Sequence, residues 1–139
     1  MGTVSGILFF QGEADTIDPQ KYPTLNPQAE AWAEKFATFS YNFRTDIGYP
    51  NLPLAYAQLG QPKDLEGLPN WALVQAQQAS IQIPNGVMIA TDDLAMDGLY
   101  FTVDSYETIG ERFAEAIATI IPTNLNNPTD ESPPPKSAQ

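Results

Sequence analysis

Histidine and cysteine are both absent from the 139 residues. Without cysteine there is no disulfide framework, no thiolate metal site and no thiol nucleophile. Without histidine the chain lacks the side chain that most often shuttles protons near neutral pH and most often binds metals. Basic residues are also scarce: 6 against 17 acidic ones, a formal charge of −11. That balance would repel a phosphate backbone, so nucleic acid is not an expected partner. No apolar run approaches the roughly 18 residues of a membrane-spanning helix, so no membrane partner is expected either. The first ten residues carry neither a basic leader nor a small-residue cleavage site. As written, the chain is expected to be soluble and not exported, hence cytoplasmic if complete; its abrupt start is equally compatible with missing upstream sequence.

The composition, 42% hydrophobic, suits one globular domain. Val4 to Phe10 is a nearly continuous apolar run ending at Gln11-Gly12, the pattern of a parallel strand covered on both faces. A Pro-containing loop follows, and Asn26-Pro27 offers an N-cap with proline at the first helical position. Trp32, Phe36, Phe39 and Phe43 then recur at helical spacing, placing four aromatics on one core-facing stripe, with Gly48 and Pro50 ending the helix.

Leu52 to Leu59 reads as a second strand and Gly60 to Pro69 as a loop. Asn70 is placed to cap a helix from Trp71 to about Ile81, and Val87 to Ala90 is a third short strand. Thr91 to Asp97 is polar. Asp104 and Glu107 have capping-box spacing ahead of a helix whose Ile109, Phe113, Ile117 and Ile120 share a face, with Pro122 beyond it. Residues 122–139 hold a Pro-Pro-Pro run and almost no apolar content, so they are expected to form a disordered tail after a domain spanning 1–121. Three strand–helix alternations point to α/β with a parallel sheet.

Several segments, in one order, resemble the sialate O-acetylesterase carbohydrate esterases, a branch of the SGNH hydrolases. They are Gly6 to Asp15 with its Gln11-Gly12-Glu13 block, Phe43-Arg44, Leu52-Pro53-Leu54 with Gln58-Leu59, Trp71 and Gln77, Asp97 to Phe101, and Ile109 to Ala114. The resemblance implies part of a three-layer αβα, flavodoxin-like sandwich: about three parallel strands with flanking helices, the C-terminal half of the family's domain. It also implies acetyl-ester hydrolysis on sialic acid or other carbohydrates by a Ser-His-Asp mechanism, without any cofactor.

The sequence departs from that pattern at the reacting groups. The family's Gly-Gln-Ser-Asn-like nucleophile segment is absent, and Ser5, Ser40, Ser80, Ser105, Ser132 and Ser137 all lie in other contexts. Where the family has Asp-x-x-His, Asp97 is followed by Tyr100. A phenol with a pKa near 10 is a poor acceptor for a serine proton. Val74 stands where members often carry arginine.

By resemblance, Gln11, Gly12 and Glu13 lie beside the oxyanion, Gln58 on the substrate side, Asp97 at the triad-acid position and Tyr100 at the incompetent histidine position. Asp92, Asp93 and Asp97 lack the glycine and terminal glutamate of a calcium loop, so no metal site is expected. Three readings stay open: a truncated or degenerate, inactive esterase; one half of a split enzyme; and a non-catalytic module binding an O-acetylated carbohydrate or a protein. An unpaired Val4 to Phe10 edge would serve either a complementary N-terminal half or self-association.

Overall fold

The structure, a computed structural model, describes residues 4–121. Strands β1 (Ile7–Phe9), β2 (Leu54–Ala57) and β3 (Gly86–Ile89) form one parallel sheet in that order. Ile7 is in register with Leu54, and Leu54 with Gly86. Helices α1 (Trp32–Asp46) and α2 (Trp71–Ser80) cover one face, and α3 (Val103–Ile120) covers the other. A hairpin of β4 (Met96–Asp97) and β5 (Tyr100–Phe101) precedes α3. This is a partial three-layer αβα sandwich with the expected three parallel strands. The expected tail, with Pro122, lies outside the described residues.

Every residue of β2 is buried, since it has a neighbour strand on each side and helices above and below. Strand β1 differs from the expectation of cover on both faces. Phe9 packs on Phe36 of α1, with ring centroids 4.5 Å apart, but Leu8 on the opposite side is 60% exposed. Helix α3 explains this, because it lies over β2 and β3 and leaves β1 open.

The aromatic stripe of α1 is also corrected. Trp32 and Phe36 are buried, but the buried row continues through Ser40 and Arg44, and Phe39 and Phe43 are 41% and 38% exposed. A row at i, i+4 drifts around the helix, and the guanidinium of Arg44 goes inward where carbonyls await it.

Helix starts differ in mechanism from expectation. Asn26 adopts a left-handed conformation (φ 44°) and closes a short 3-10 turn, so it caps nothing at α1. The amide of Ala33 in the first turn of α1 instead donates to Gln77 Oε1 of α2 at 3.0 Å, and Gln77 Nε2 donates to Glu30 O. Asn70 does precede α2, yet its side chain donates to Ile17 O. At α3 the cap is Thr102, which accepts from Ser105 N at 3.3 Å; Asp104 lies within the first turn, so the capping box is not formed.

Candidate active-site edge

Parallel strands deliver the residues that follow them to one edge of the sheet, and this edge is where open α/β sheets bind ligands. The loops after β1 and β2 and the hairpin after β3 meet there. Phe10, just past β1, contacts Phe101 of β5 at 5.6 Å between centroids, and Tyr106 of α3 packs against both rings. The hairpin is thereby held over the ends of the strands.

Asp97 and Tyr100 are register partners across this hairpin, separated by Gly98 and Leu99. Gly98, at φ 66°, takes the first central position of a two-residue turn, where a positive φ and hence glycine is favoured. Residues directly opposite in an antiparallel pair project to the same face. The first and last residues of a four-residue spacing on this turn therefore lie side by side; here they are a carboxylate and a phenol, the phenol 63% exposed. Neither the hairpin nor this pairing is read from the sequence alone, where Thr91 to Asp97 shows only polarity.

Gln11, Gly12 and Glu13 follow β1 and reach the same edge. Gly12 is buried, and a Cβ there would stand 3.0 Å from Gln78 Nε2 and 3.3 Å from Val74 Cγ1, so the turn seats directly on α2. Val74 is itself fully buried in that contact. The Gly12 N–H, which the resemblance places beside the oxyanion, donates to Glu13 Oε2 at 3.0 Å. In this arrangement the donor already has a partner.

Gln58 directly follows β2 at this edge, but its Nε2 donates to Gln75 O of α2 at 3.0 Å. The residue that joins the two loops is Gln78, which sequence reasoning passed over. It is wholly buried; its Oε1 accepts from Leu59 N at 2.8 Å and its Nε2 donates to Gln11 O at 3.2 Å. Only its position in an alanine- and glutamine-rich helix hinted at it, and nothing there separates it from Gln75 or Gln77. A further link is Thr91 Oγ1, which donates to Gln58 O at 2.8 Å and ties the ends of β2 and β3.

Within the acidic cluster, Asp93 is engaged by Arg112 of α3, whose Nη1 and Nη2 donate to its two oxygens at 2.8 and 2.6 Å. Those bonds hold the Asp93 carboxyl below the usual carboxylate range. Among the described residues no group of acidic side chains is arranged to hold a metal ion. Three of the four described serines are committed locally: Ser40 Oγ donates to Ala37 O, Ser80 Oγ to Gln77 O, and Ser105 Oγ to Ala95 O.

Comparison with known proteins agrees with this architecture. Residues 1–119 match the family described as carbohydrate esterase, sialic acid-specific acetylesterase. A protein of known structure from Arabidopsis thaliana superposes with a TM-score of 0.72 at 21% identity, over 87% of this chain and 47% of that one. A carbohydrate acetylesterase from Xanthomonas citri superposes with a TM-score of 0.71 at 24% identity, over 86% of this chain and 26% of that one. The chain thus spans about half the length of the first structure and about a quarter of the second. None of the curated proteins matches. With the match covering 119 residues and the sandwich in place, the chain belongs to the sialic acid-specific acetylesterase family of carbohydrate esterases.

Proposed function

We propose that this chain carries the acid-side half of a carbohydrate O-acetylesterase site and that these 139 residues do not hydrolyse acetyl esters by themselves. The observation that carries the reading is the Asp97–Tyr100 pair in a chain without histidine. Acyl transfer to serine needs a base that takes the hydroxyl proton and an acid that orients the base. Asp97 keeps the second role's position, and Tyr100 does not fill the first. The Glu13 contact to the Gly12 N–H supports the same reading, because an oxyanion would have to displace a carboxylate to reach that donor.

The test is hydrolysis of p-nitrophenyl acetate by the purified chain and its Tyr100→His variant, each alone and mixed with a serine-bearing segment of the family's domain. Background rates in every mixture except the one holding both the histidine and the serine segment are the expected result. Turnover by the unmodified chain alone would place the chemistry in other residues.

A second reading, one half of a split enzyme, draws on the open side of β1. Among the described residues no strand lies beyond β1; Leu8 is 60% exposed on the face away from α1, and on the α1 face the partly exposed Phe39 packs beside Phe9 at 5.7 Å. Such an edge invites another strand. Acetyl-ester hydrolysis well above background on mixing the unmodified chain with the serine-bearing segment would favour this reading over the first.

A further inference from the structure

Met96 and Phe101 are register partners across the β4–β5 hairpin, one step nearer its root than Asp97 and Tyr100. Side chains alternate along a strand, so the hairpin turns Met96 and Phe101 to one face and Asp97 and Tyr100 to the other. Burial agrees: Phe101 is buried and Met96 half-buried, whereas Asp97 and Tyr100 are exposed. The inner pair lands on Gly60, in the loop after β2. A Cβ built on Gly60 would stand 2.5 Å from Phe101 Cζ and 2.6 Å from Met96 Sδ, the closest approach at any described glycine and well inside the 3.4 Å at which ordinary contact begins. Gly60 is not among the glycines of positive φ, which are Gly12, Gly48, Gly67 and Gly98. The position therefore requires the missing side chain and not glycine's backbone freedom.

The backbone under this contact is fixed. Gly60 O accepts from Trp71 Nε1 at 3.0 Å and from Gln75 Nε2 at 2.7 Å, and Gln75 Nε2 also donates to Leu59 O at 2.8 Å. Leu59 N in turn donates to Gln78 Oε1. All of these partners lie on α2, the helix that also seats the Gly12 turn through Gln78 and Val74. One helix thus supports both sides of the site, with Gly12 setting the height of the turn after β1 and Gly60 that of the hairpin. The hairpin is the weaker member of the contact. It has two residues per strand and is tied at its root by Thr102 N and Ser105 Oγ, both donating to Ala95 O. A β-carbon at position 60 is therefore relieved by a shift of the hairpin, not of the loop beneath it.

We infer that Gly60 is a positioning residue for the ester-hydrolysing site: by carrying no side chain it lets Met96 and Phe101 seat against α2's loop, and so sets how far the outer pair, Asp97 and residue 100, stands above the end of β2. The inference rests on the reading above that Asp97 holds the acid position of that site. Gly60 acts through Met96 and Phe101 and needs no contact with substrate. A methyl group at position 60 lifts the hairpin by about 1 Å, a misplacement that costs a preorganised site about 100-fold in rate.

The experiment compares ¹H–¹⁵N shifts and ¹H NOEs of the full chain with those of Gly60→Ala, Phe101→Leu and the double variant, in which the offending ring atoms are gone and the flexible Met96 thioether swings aside. Expected for Gly60→Ala are weaker NOEs between the Phe10 and Phe101 rings and shift changes concentrated in residues 94–101. The shifts of β2 and α2 stay unchanged and the NOEs between positions 97 and 100 persist, since the hairpin moves as a unit. The double variant is expected to return residues 97–100 to the shifts of Phe101→Leu alone. Unfolding of Gly60→Ala that the second substitution reverses places the conflict at the same contact and upholds the inference. Changes spread through α2 and β2 around an unmoved hairpin, or no rescue by Phe101→Leu, overturn it. Hydrolysis keeps this inference separate from the esterase reading. In the Tyr100→His chain mixed with the serine-bearing segment, Gly60→Ala is expected to lower kcat about 100-fold with KM little changed, and an undiminished kcat overturns the inference. No turnover with glycine at position 60 tells against the esterase reading alone, and the NMR comparison still decides whether Gly60 sets the hairpin.

Discussion

Arg44 Nη2 donates to Leu52 O at 2.6 Å, joining the last turn of α1 to the entry of β2. Its Nη1 donates to Pro84 O at 2.8 Å and Nη2 also approaches Asn85 O at 3.3 Å, so the same guanidinium holds the entry of β3. Among the described residues no carboxylate pairs with it and its Nε has no hydrogen-bond partner; burial pushes its pKa down. The clasp works because a planar fork of donors matches carbonyls that converge from two strands.

Replacing the fork is therefore expected to cost more than replacing the charge. Arg44→Lys retains the charge but cannot span the three carbonyls, and Arg44→Met leaves Leu52 O and Pro84 O unsatisfied while Asn85 O keeps Leu54 N. Each is expected to lower unfolding free energy by on the order of 2–3 kcal/mol, read from urea denaturation midpoints. A loss under about 0.5 kcal/mol would mean that the clasp is dispensable.

Gln78 and Gly12 form a second joint, at the opposite edge. Gln78→Leu leaves Leu59 N and Gln11 O without their partner, an expected loss of about 1–3 kcal/mol. Gly12→Ala forces a methyl against the same amide and Val74, at about 1–3 kcal/mol. The double variant is expected to fall short of the sum, because the two residues share a contact; a double-mutant cycle by denaturation measures the shortfall.

Tyr56 provides a pH signature. Its hydroxyl is buried and donates to Gln78 O at 2.9 Å, and burial raises its pKa. Above about pH 10 the unfolded chain releases this proton while the folded chain retains it, so the folded state binds more protons and stability falls as pH rises. The contribution is fully present below that pH and is lost as pH climbs through the raised folded value. Tyr56→Phe is expected to cost about 1 kcal/mol at neutral pH and to flatten the alkaline decline of the thermal midpoint.

The hairpin geometry is testable without any activity. In Tyr100→His, the introduced imidazole sits across from Asp97 and is expected to titrate above the ordinary value of about 6.5. The linked stabilisation is present below that value and lost as pH rises through the folded pKa. Both positions are exposed, so the rise is modest. Adding Asp97→Asn is expected to abolish it in an NMR titration.

Much of the scaffold was legible because its signals are local. The apolar run of Leu52 to Leu59 holds a fully buried strand and that of Val87 to Ala90 a partly buried one, in which only Ile89 is buried, and Ile109 and Phe113 at i, i+4 mark the buried face of α3. The site was legible only as residues in a familiar order. That Asp97 and Tyr100 are opposite each other depends on a hairpin pair of two residues per strand, too short to leave an alternating pattern. Gln78, Gln75 and Gln77 look alike in sequence, and their separate duties follow from which loops α2 lies under.

What the sequence determined by itself was therefore the α/β order, the family likeness and the absence of histidine from these 139 residues, because these depend on residue type, spacing and composition. Tertiary structure decided which aromatics of α1 are core: Trp32 and Phe36 are buried, whereas Phe39, which packs beside Phe9 of β1, and Phe43 stay partly exposed, and among the described residues no strand lies beyond β1. It also decided that the Gly12 N–H has a partner in Glu13 and that the hairpin seats on Gly60. Those facts depend on distances between segments far apart in the chain, which periodicity and propensity do not encode.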